Sequence, residues 1–301
     1  MHTAQAWLLA TRPKTLLVGM MPVVLGSALA FAHGVFQLAP ALAALVCALL
    51  MQIASNLIND LYDFRKGADT AERLGPPRAV ASGLLSEKAV ARAAWAVVLV
   101  AFCLGQYLVW VGGWNIFVVG VVSLVVAWAY TGGPYPLAYL GLGEVCAFVF
   151  FGIVPVSGTY YVQAQTLRLD VICFAAVPGM FSAAVLLINN IRDIASDRNA
   201  GKNTLAVRLG GQASRWLYCT LVLCAACAPL VFWLAGYTAW LVLALTVIPL
   251  TLRSMLIVFR SEGVRSEGAA LNRVLGLTII QMALQCTLTA LALCIASTVS
   301  H

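Results

Sequence analysis

The chain has 301 residues, of which 62% are hydrophobic and 10% charged, whereas soluble domains carry about 25% charged residues. With a mean hydropathy of +0.94, this balance excludes a water-soluble globular enzyme and reads as an integral membrane protein. A net charge of +7 would suggest nucleic acid in a soluble chain; here it reports orientation.

A membrane-spanning helix needs roughly 20 apolar residues. About nine such runs follow one another, near 15–33, 40–60, 93–112, 115–131, 136–160, 171–191, 215–235, 238–259 and 274–297. Backbone groups in lipid must pair internally, so spans are helices or a closed barrel. Continuous apolar runs, without period-two alternation, decide for helices. The first run is long enough to span and lacks the cleavage site of a signal peptide. The glycines of VGGWN (111–115) and LAGYT (234–238) suit tight turns. The segments 63–92 and 192–214 hold most of the charge. Nine cysteines are scattered through the apolar runs and read as small core residues, with no disulfide framework or zinc site. His2, His33 and His301 stand far apart, which argues against a histidine-based metal site. If Arg12 lies in the cytoplasm, the segments on its side hold 17 of the 18 lysines and arginines, and only Arg168 falls outside. The positive-inside rule then puts the N-terminus inside and the C-terminus outside.

One design occurs twice. Asn59-x-x-x-Asp63 ends the second run, and Asn189-x-x-x-Asp193 ends the sixth, 130 residues later. Four helices separate the copies, so both point the same way. The expectation is a single domain over 1–301, with repeat one at about 12–131, repeat two at about 136–259 and an extra helix at about 274–297. Repeat-built membrane proteins often bind ligand where the repeats meet.

Residues four apart share a helical face. Asn59 points with Asp63, Asn56 with Asp60, and Asn189, Asp193 and Asp197 are expected on one continuous face. Gly67 is expected to end the first helix, leaving Asp69 in a turn. Carboxylates four apart repel by roughly 2–3 kcal/mol at ~6 Å and an effective dielectric near 20. A hard divalent cation offsets this, and Mg²⁺ commonly takes a few carboxylates plus water or phosphate oxygens. The neighbouring cations Arg65, Lys66, Arg73, Arg78, Arg192 and Lys202 suit the outer oxygens of a diphosphate. Aspartates at a helix end can also be salt-bridged surface groups; two matching clusters in a duplicated bundle favour the ligand site. A divalent-cation path is a third reading, but it expects carboxylates near the bilayer midplane.

Six stretches together resemble the UbiA superfamily of membrane prenyltransferases: WLLATRPKTL (7–16), PVVLGSALA (22–30), NLINDLYDFRKGADT (56–70) with ERLGPPRAVASG (72–83), YTGGPYPLAYLGLGE (130–144) and NNIRDIASDRNAGKNTLAVRLG (189–210). The last two are similar to the branch that prenylates dihydroxynaphthoate. The wider family pattern would place a carboxylate at 67, where this chain has Gly67 and then Asp69. The resemblance implies an all-α bundle of nine transmembrane helices with a polar cavity open to the cytoplasm, in a bacterial inner membrane. It implies Mg²⁺-dependent transfer of a polyprenyl chain from its diphosphate to dihydroxynaphthoate, with loss of CO₂, in menaquinone biosynthesis. Another acceptor such as 4-hydroxybenzoate remains open. Under this reading Asp63, Asp193 and Asp197 are catalytic; Asn59, Asp63, Asp69, Asn189, Asp193 and Asp197 bind metal. Arg12, Lys14, Asn56, Asp60, Tyr62, Tyr130, Tyr135 and Glu144 are candidate substrate contacts.

Overall fold

Apolar runs that must pair every backbone group within lipid close into helices. The computed structural model describes residues 3–67, 77–263 and 266–299, and these contain helices and no strand. A short α1 (Thr3–Thr11) leads into α2 (Pro13–Ala32) and α3 (Leu38–Arg65). α4 (Glu87–Ala129) starts after Ser86, whose hydroxyl accepts from Ala89 N at 3.3 Å, an ordinary N-cap. α5 (Gly143–Phe148), a π-helical stretch Val149–Ile153 and α6 (Val154–Ala164) join into one span. Then come α7 (Leu169–Arg192), the short α8 (Ile194–Asn199) and α9 (Leu205–Leu209), and α10 (Gly211–Leu234). A 3-10 stretch Ala239–Val247 continues into α11 (Ile248–Arg260), and α12 (Glu267–Val299) completes the bundle.

Eight of these helices, joined stretches included, are long and apolar enough to cross a membrane, which makes the chain an integral membrane protein. One of the eight is a hairpin. Within α4, Gly113 takes φ 72° and ψ −161°, a conformation open to glycine. Near the start of α4, Glu87 accepts from Arg65 at 2.7 Å; near its end, Trp128 donates to the Tyr62 hydroxyl at 3.1 Å. A straight helix would hold these two residues about 60 Å apart, yet both meet the C-terminal end of α3. The chain therefore reverses at Gly113, which divides α4 into two helical segments.

Burial separates the segments. In its most apolar window α7 is 67% buried and α4 only 6%, so α7 is the central post and α4 faces lipid. α7 packs on α5, α10 and α12, and α12 also lies along α2. Its crossing with the π-helical stretch depends on glycine: a Cβ on Gly152 would sit 2.4 Å from Gly179 Cα. Small residues of this kind let helices approach closely in lipid. The span expected from 136 begins later, at Gly143. Pro136 and the positive φ of Gly141 (70°) confine the intervening residues to a 3-10 turn, Leu137–Leu140. All nine cysteines are free; Cys224 and Cys227 stand three apart on α10, the first exposed and the second half-buried.

Candidate active site

The two acidic motifs end their helices differently. α3 runs straight to Arg65, and Gly67 follows at φ 67°. α7 stops at Arg192, and Asp193 turns the backbone at φ −100°, ψ 10° before α8 begins. The expected continuous face of Asn189, Asp193 and Asp197 is thus bent at its middle member. Hydrogen bonds still cross the bend, from Asp193 N to Asn189 O at 3.2 Å and from Asp197 N to Asp193 O at 2.8 Å.

Three of the motif carboxylates, Asp63, Asp193 and Asp197, each have a cation beside them. Asp63 is buried, and its Oδ2 accepts from Arg78 Nη2 at 3.2 Å. Its Oδ1 is buried with no hydrogen-bond partner. The Arg192 guanidinium, equally buried, forks onto Asp193 at 2.8 and 2.6 Å and also reaches Asn189 Oδ1 at 2.6 Å and Asn272 Oδ1. Asp197 lies 3.8 Å from Lys202. Among the described residues no three His, Cys, Asp or Glu side chains converge to hold a metal ion. The oxygens therefore form two half-sites, each with its own counter-cation.

The central loop joins the halves. Lys66 Nζ stands 4.8 Å and Lys202 Nζ 5.5 Å from the ring centre of Tyr139, within cation–π range. Lys66 also donates to Thr131 O at 2.8 Å, while the Thr131 hydroxyl donates to Asn59 Oδ1 at 3.0 Å. Burial, followed by the repulsion of Lys202, lowers the Lys66 pKa, against the attraction of Asp63. The Tyr130 phenol is pushed well above its ordinary range, first by burial and then by the nearby carboxylates Glu144, Asp63 and Asp197. One hydroxyl thus feels carboxylates from both motifs and stays protonated. Glu144, also buried, takes a hydrogen bond from Asn190 at 2.9 Å on one oxygen; its other oxygen is buried without a partner.

A cavity of about 420 Å³ opens beside this cluster. At one end it is lined by Arg12, Thr15, Gln52, Asn56, Asn59, Tyr130 and Asn189; further in, the walls are apolar, with Met51, Phe102, Ile116, Phe117, Phe150 and Val154. Arg12 has the left-handed backbone φ 49°, ψ 70°, uncommon for a residue with a Cβ and further disfavoured before proline. Asn56 holds this turn in place by donating to Thr11 O at 3.0 Å and Thr15 Oγ1 at 3.1 Å.

Five expected residues, Arg12, Asn56, Asn59, Tyr130 and Asn189, therefore line the cavity, and Asp63, Lys66, Arg78, Glu144, Arg192, Asp193, Asp197 and Lys202 cluster about the motif ends. Others point elsewhere. Arg65 pairs with Glu87 and stacks over the Tyr62 ring. Tyr62 is held by Trp128. Asp60 accepts from Val80 N at 3.4 Å, Lys14 is exposed, and Tyr135 is 78% exposed. Asp69 and Arg73 lie outside the described residues. Sequence reasoning passed over Thr131, Tyr139, Asn190 and Asn272. Tyr139 stands within the YTGGPYPLAYLGLGE stretch, but nothing in its spacing marks it as the platform for two lysines.

The model of the UbiA prenyltransferase family matches residues 19–277. The chain is 39% identical over 263 residues to the 1,4-dihydroxy-2-naphthoate octaprenyltransferase of Escherichia coli, covering 85% of each chain. It is 39% identical over 249 residues to the protein of the same name from Mycobacterium tuberculosis, covering 82% of this chain and 84% of that one. Its fold is similar to a UbiA homolog from Archaeoglobus fulgidus bound to GPP and Mg²⁺, with a TM-score of 0.66 at 15% identity, covering 94% and 99% of the two chains.

Proposed function

The chain belongs to the UbiA prenyltransferase family, and we propose that it transfers a polyprenyl chain from its diphosphate to 1,4-dihydroxy-2-naphthoate, releasing diphosphate and CO₂ to give demethylmenaquinol. The observation that carries this reading is the extent of similarity to naphthoate octaprenyltransferases, 39% over 85% of the chain. The geometry agrees with it: Asn59 and Asn189, the amide members of the two half-sites, line the polar end of a cavity whose inner walls suit an isoprenoid tail.

The donor set suits Mg²⁺. Asn59, Asp63, Asn189, Asp193 and Asp197 offer hard oxygens, and Asp63 Oδ1 is buried without a partner. Because the carboxylates form two half-sites, water and diphosphate oxygens would complete each coordination shell, as is common for this ion. Asp69 is a further candidate from sequence alone. When bound, Mg²⁺ neutralises charge that builds on the departing diphosphate. Lys66, Arg78, Arg192 and Lys202 take up the remaining charge, with Arg73 a candidate from sequence. Stabilising the leaving group in this way lets positive charge develop at C1 of the prenyl chain. Tyr130 lines the cavity and keeps its proton, so it can meet that positive charge without becoming an anion. Arg12 is placed to meet an acidic group, either the ring carboxylate or the diphosphate. The apolar walls keep water from the cation, and the ring attacks through its carboxylated carbon, which then loses CO₂.

In this reading the nine segments form one domain of two repeats and an added helix. The protein sits in the bacterial inner membrane with its motif ends and N-terminus cytoplasmic. The test is prenyl transfer by the purified protein in bilayers, with product mass spectrometry. Dihydroxynaphthoate and a polyprenyl diphosphate should give a decarboxylated prenyl product that EDTA suppresses. A product only with 4-hydroxybenzoate would change the acceptor, and ion flux without any product would overturn the reading. A reporter fused to the C-terminus should be active on the outer face only.

A further inference from the structure

Gln52 lies one turn inward of Asn56 on α3, where the cavity lining passes from polar residues to Ala48, Met51 and Cys47. It is 6% exposed. The Thr15 hydroxyl donates its only proton to Arg12 O at 2.9 Å, so it can only accept from the two amides beside it. These are Asn56 Nδ2 at 3.1 Å and Gln52 Nε2 at 3.2 Å. The amide of Gln52 is thereby oriented, with its NH₂ on Thr15 and its oxygen directed away. That oxygen is buried with no hydrogen-bond partner. A buried carbonyl left in this state costs stability, and Gln52 keeps it on a residue that lines the substrate cavity.

A carbonyl oxygen needs a donor. On the acceptor reading above, on which this inference rests, the prenyl chain has no O–H and an ionised diphosphate offers only acceptors. The dihydroxylated ring alone brings phenolic donors. We propose that Gln52 Oε1 accepts a hydrogen bond from a ring hydroxyl of the aromatic acceptor and makes the cavity select a hydroxylated ring. Thr15 and Asn56 are its positioning residues, since they fix both the amide and the Arg12 turn. Sites built to bond a substrate hydroxyl discriminate strongly against analogues that lack it, because the buried partner is then stranded.

The test uses the full-length protein in bilayers. 1-Hydroxy-2-naphthoate and 4-hydroxy-2-naphthoate, each lacking one hydroxyl, are measured as competitors of dihydroxynaphthoate in prenyl transfer, with wild type and Gln52→Met. In wild type, at least one analogue should bind about tenfold or more weakly than the dihydroxy acceptor. Gln52→Met should erase that difference while leaving the KM for polyprenyl diphosphate within about twofold. If the substitution weakens all three rings equally, Gln52 is structural and the proposal fails. It fails too if the ratios stay unchanged, as when the oxygen holds only a buried water. Should Gln52→Met not fold, wild type alone decides: equal affinity for all three rings overturns the proposal. No turnover of dihydroxynaphthoate by wild type would sink the acceptor reading and this inference with it; turnover with unchanged ratios would sink this inference alone.

Discussion

The ends of α3 and α7 carry the same Asn-x-x-x-Asp spacing and are wired in opposite ways. At α7 the counter-cation is the neighbouring residue: Arg192 grips Asp193 and Asn189 within one helical turn. At α3 it comes from 15 residues away, Arg78 reaching Asp63 across the following segment, while Asn59 is held by Thr131 of the central loop. The second motif is thus assembled by its own helix end, and the first is assembled by loops. Identical spacing fixes which groups can share a ligand, but the counter-charge comes from the adjacent residue in one half-site and from 15 positions along the chain in the other.

The largest expected effect ignores this difference. Asp63→Asn and Asp193→Asn should each lower turnover by about 100-fold or more, since on the proposed reading either removes a carboxylate that would hold the Mg²⁺ offsetting the diphosphate charge; wild-type rates in steady-state prenyl transfer would break the equivalence of the motifs. The next effect exposes the difference. Removing one partner of a buried ion pair costs about 3–5 kcal/mol. Arg192→Met should lower the melting temperature more than Arg78→Met, because it also releases Asn189 and Asn272. Added Mg²⁺ should restore Arg78→Met better, since Asp63 is then free to bind it. Equal melting curves with and without Mg²⁺ would remove the contrast. Smaller still is the link between the halves: Tyr139→Leu should raise the KM for polyprenyl diphosphate about threefold to tenfold through the two lysines, with kcat little changed. Tyr139→Phe should leave both constants nearly unaltered.

The smallest effect belongs to the other end of the bundle, where His33 contacts Tyr160 at 2.9 Å and Asp170 at 3.6 Å. Burial, then Arg168, lowers the His33 pKa against the pull of Asp170. A pKa below the unfolded value means stability that is complete above about pH 6.5 and is lost as pH falls through the folded pKa. His33→Gln should flatten the acid limb of melting temperature between pH 7 and pH 5 and leave prenyl transfer intact.

Much of this was legible in the sequence. Apolar length marked the spans, Gly67 marked the end of α3, and the VGGWN turn reversed where Gly113 permits it. Local spacing also brought Asn59 with Asp63. The rest depends on contacts between distant segments, which spacing does not encode. Arg65, beside the motif, is drawn to Glu87, and Asn56 spends its amide on the Arg12 turn. Asp193 bends α7 where simple periodicity expected a straight face.

The central claim is that the two half-sites share one diphosphate through Mg²⁺. The most direct test is Mg²⁺-dependent binding of a non-reactive polyprenyl diphosphate analogue to wild type, Asp63→Asn, Asp197→Asn and the double variant. A shared ligand predicts large losses in each single variant and a double variant little worse than the weaker of them. Losses that multiply, or binding indifferent to Mg²⁺, would contradict it.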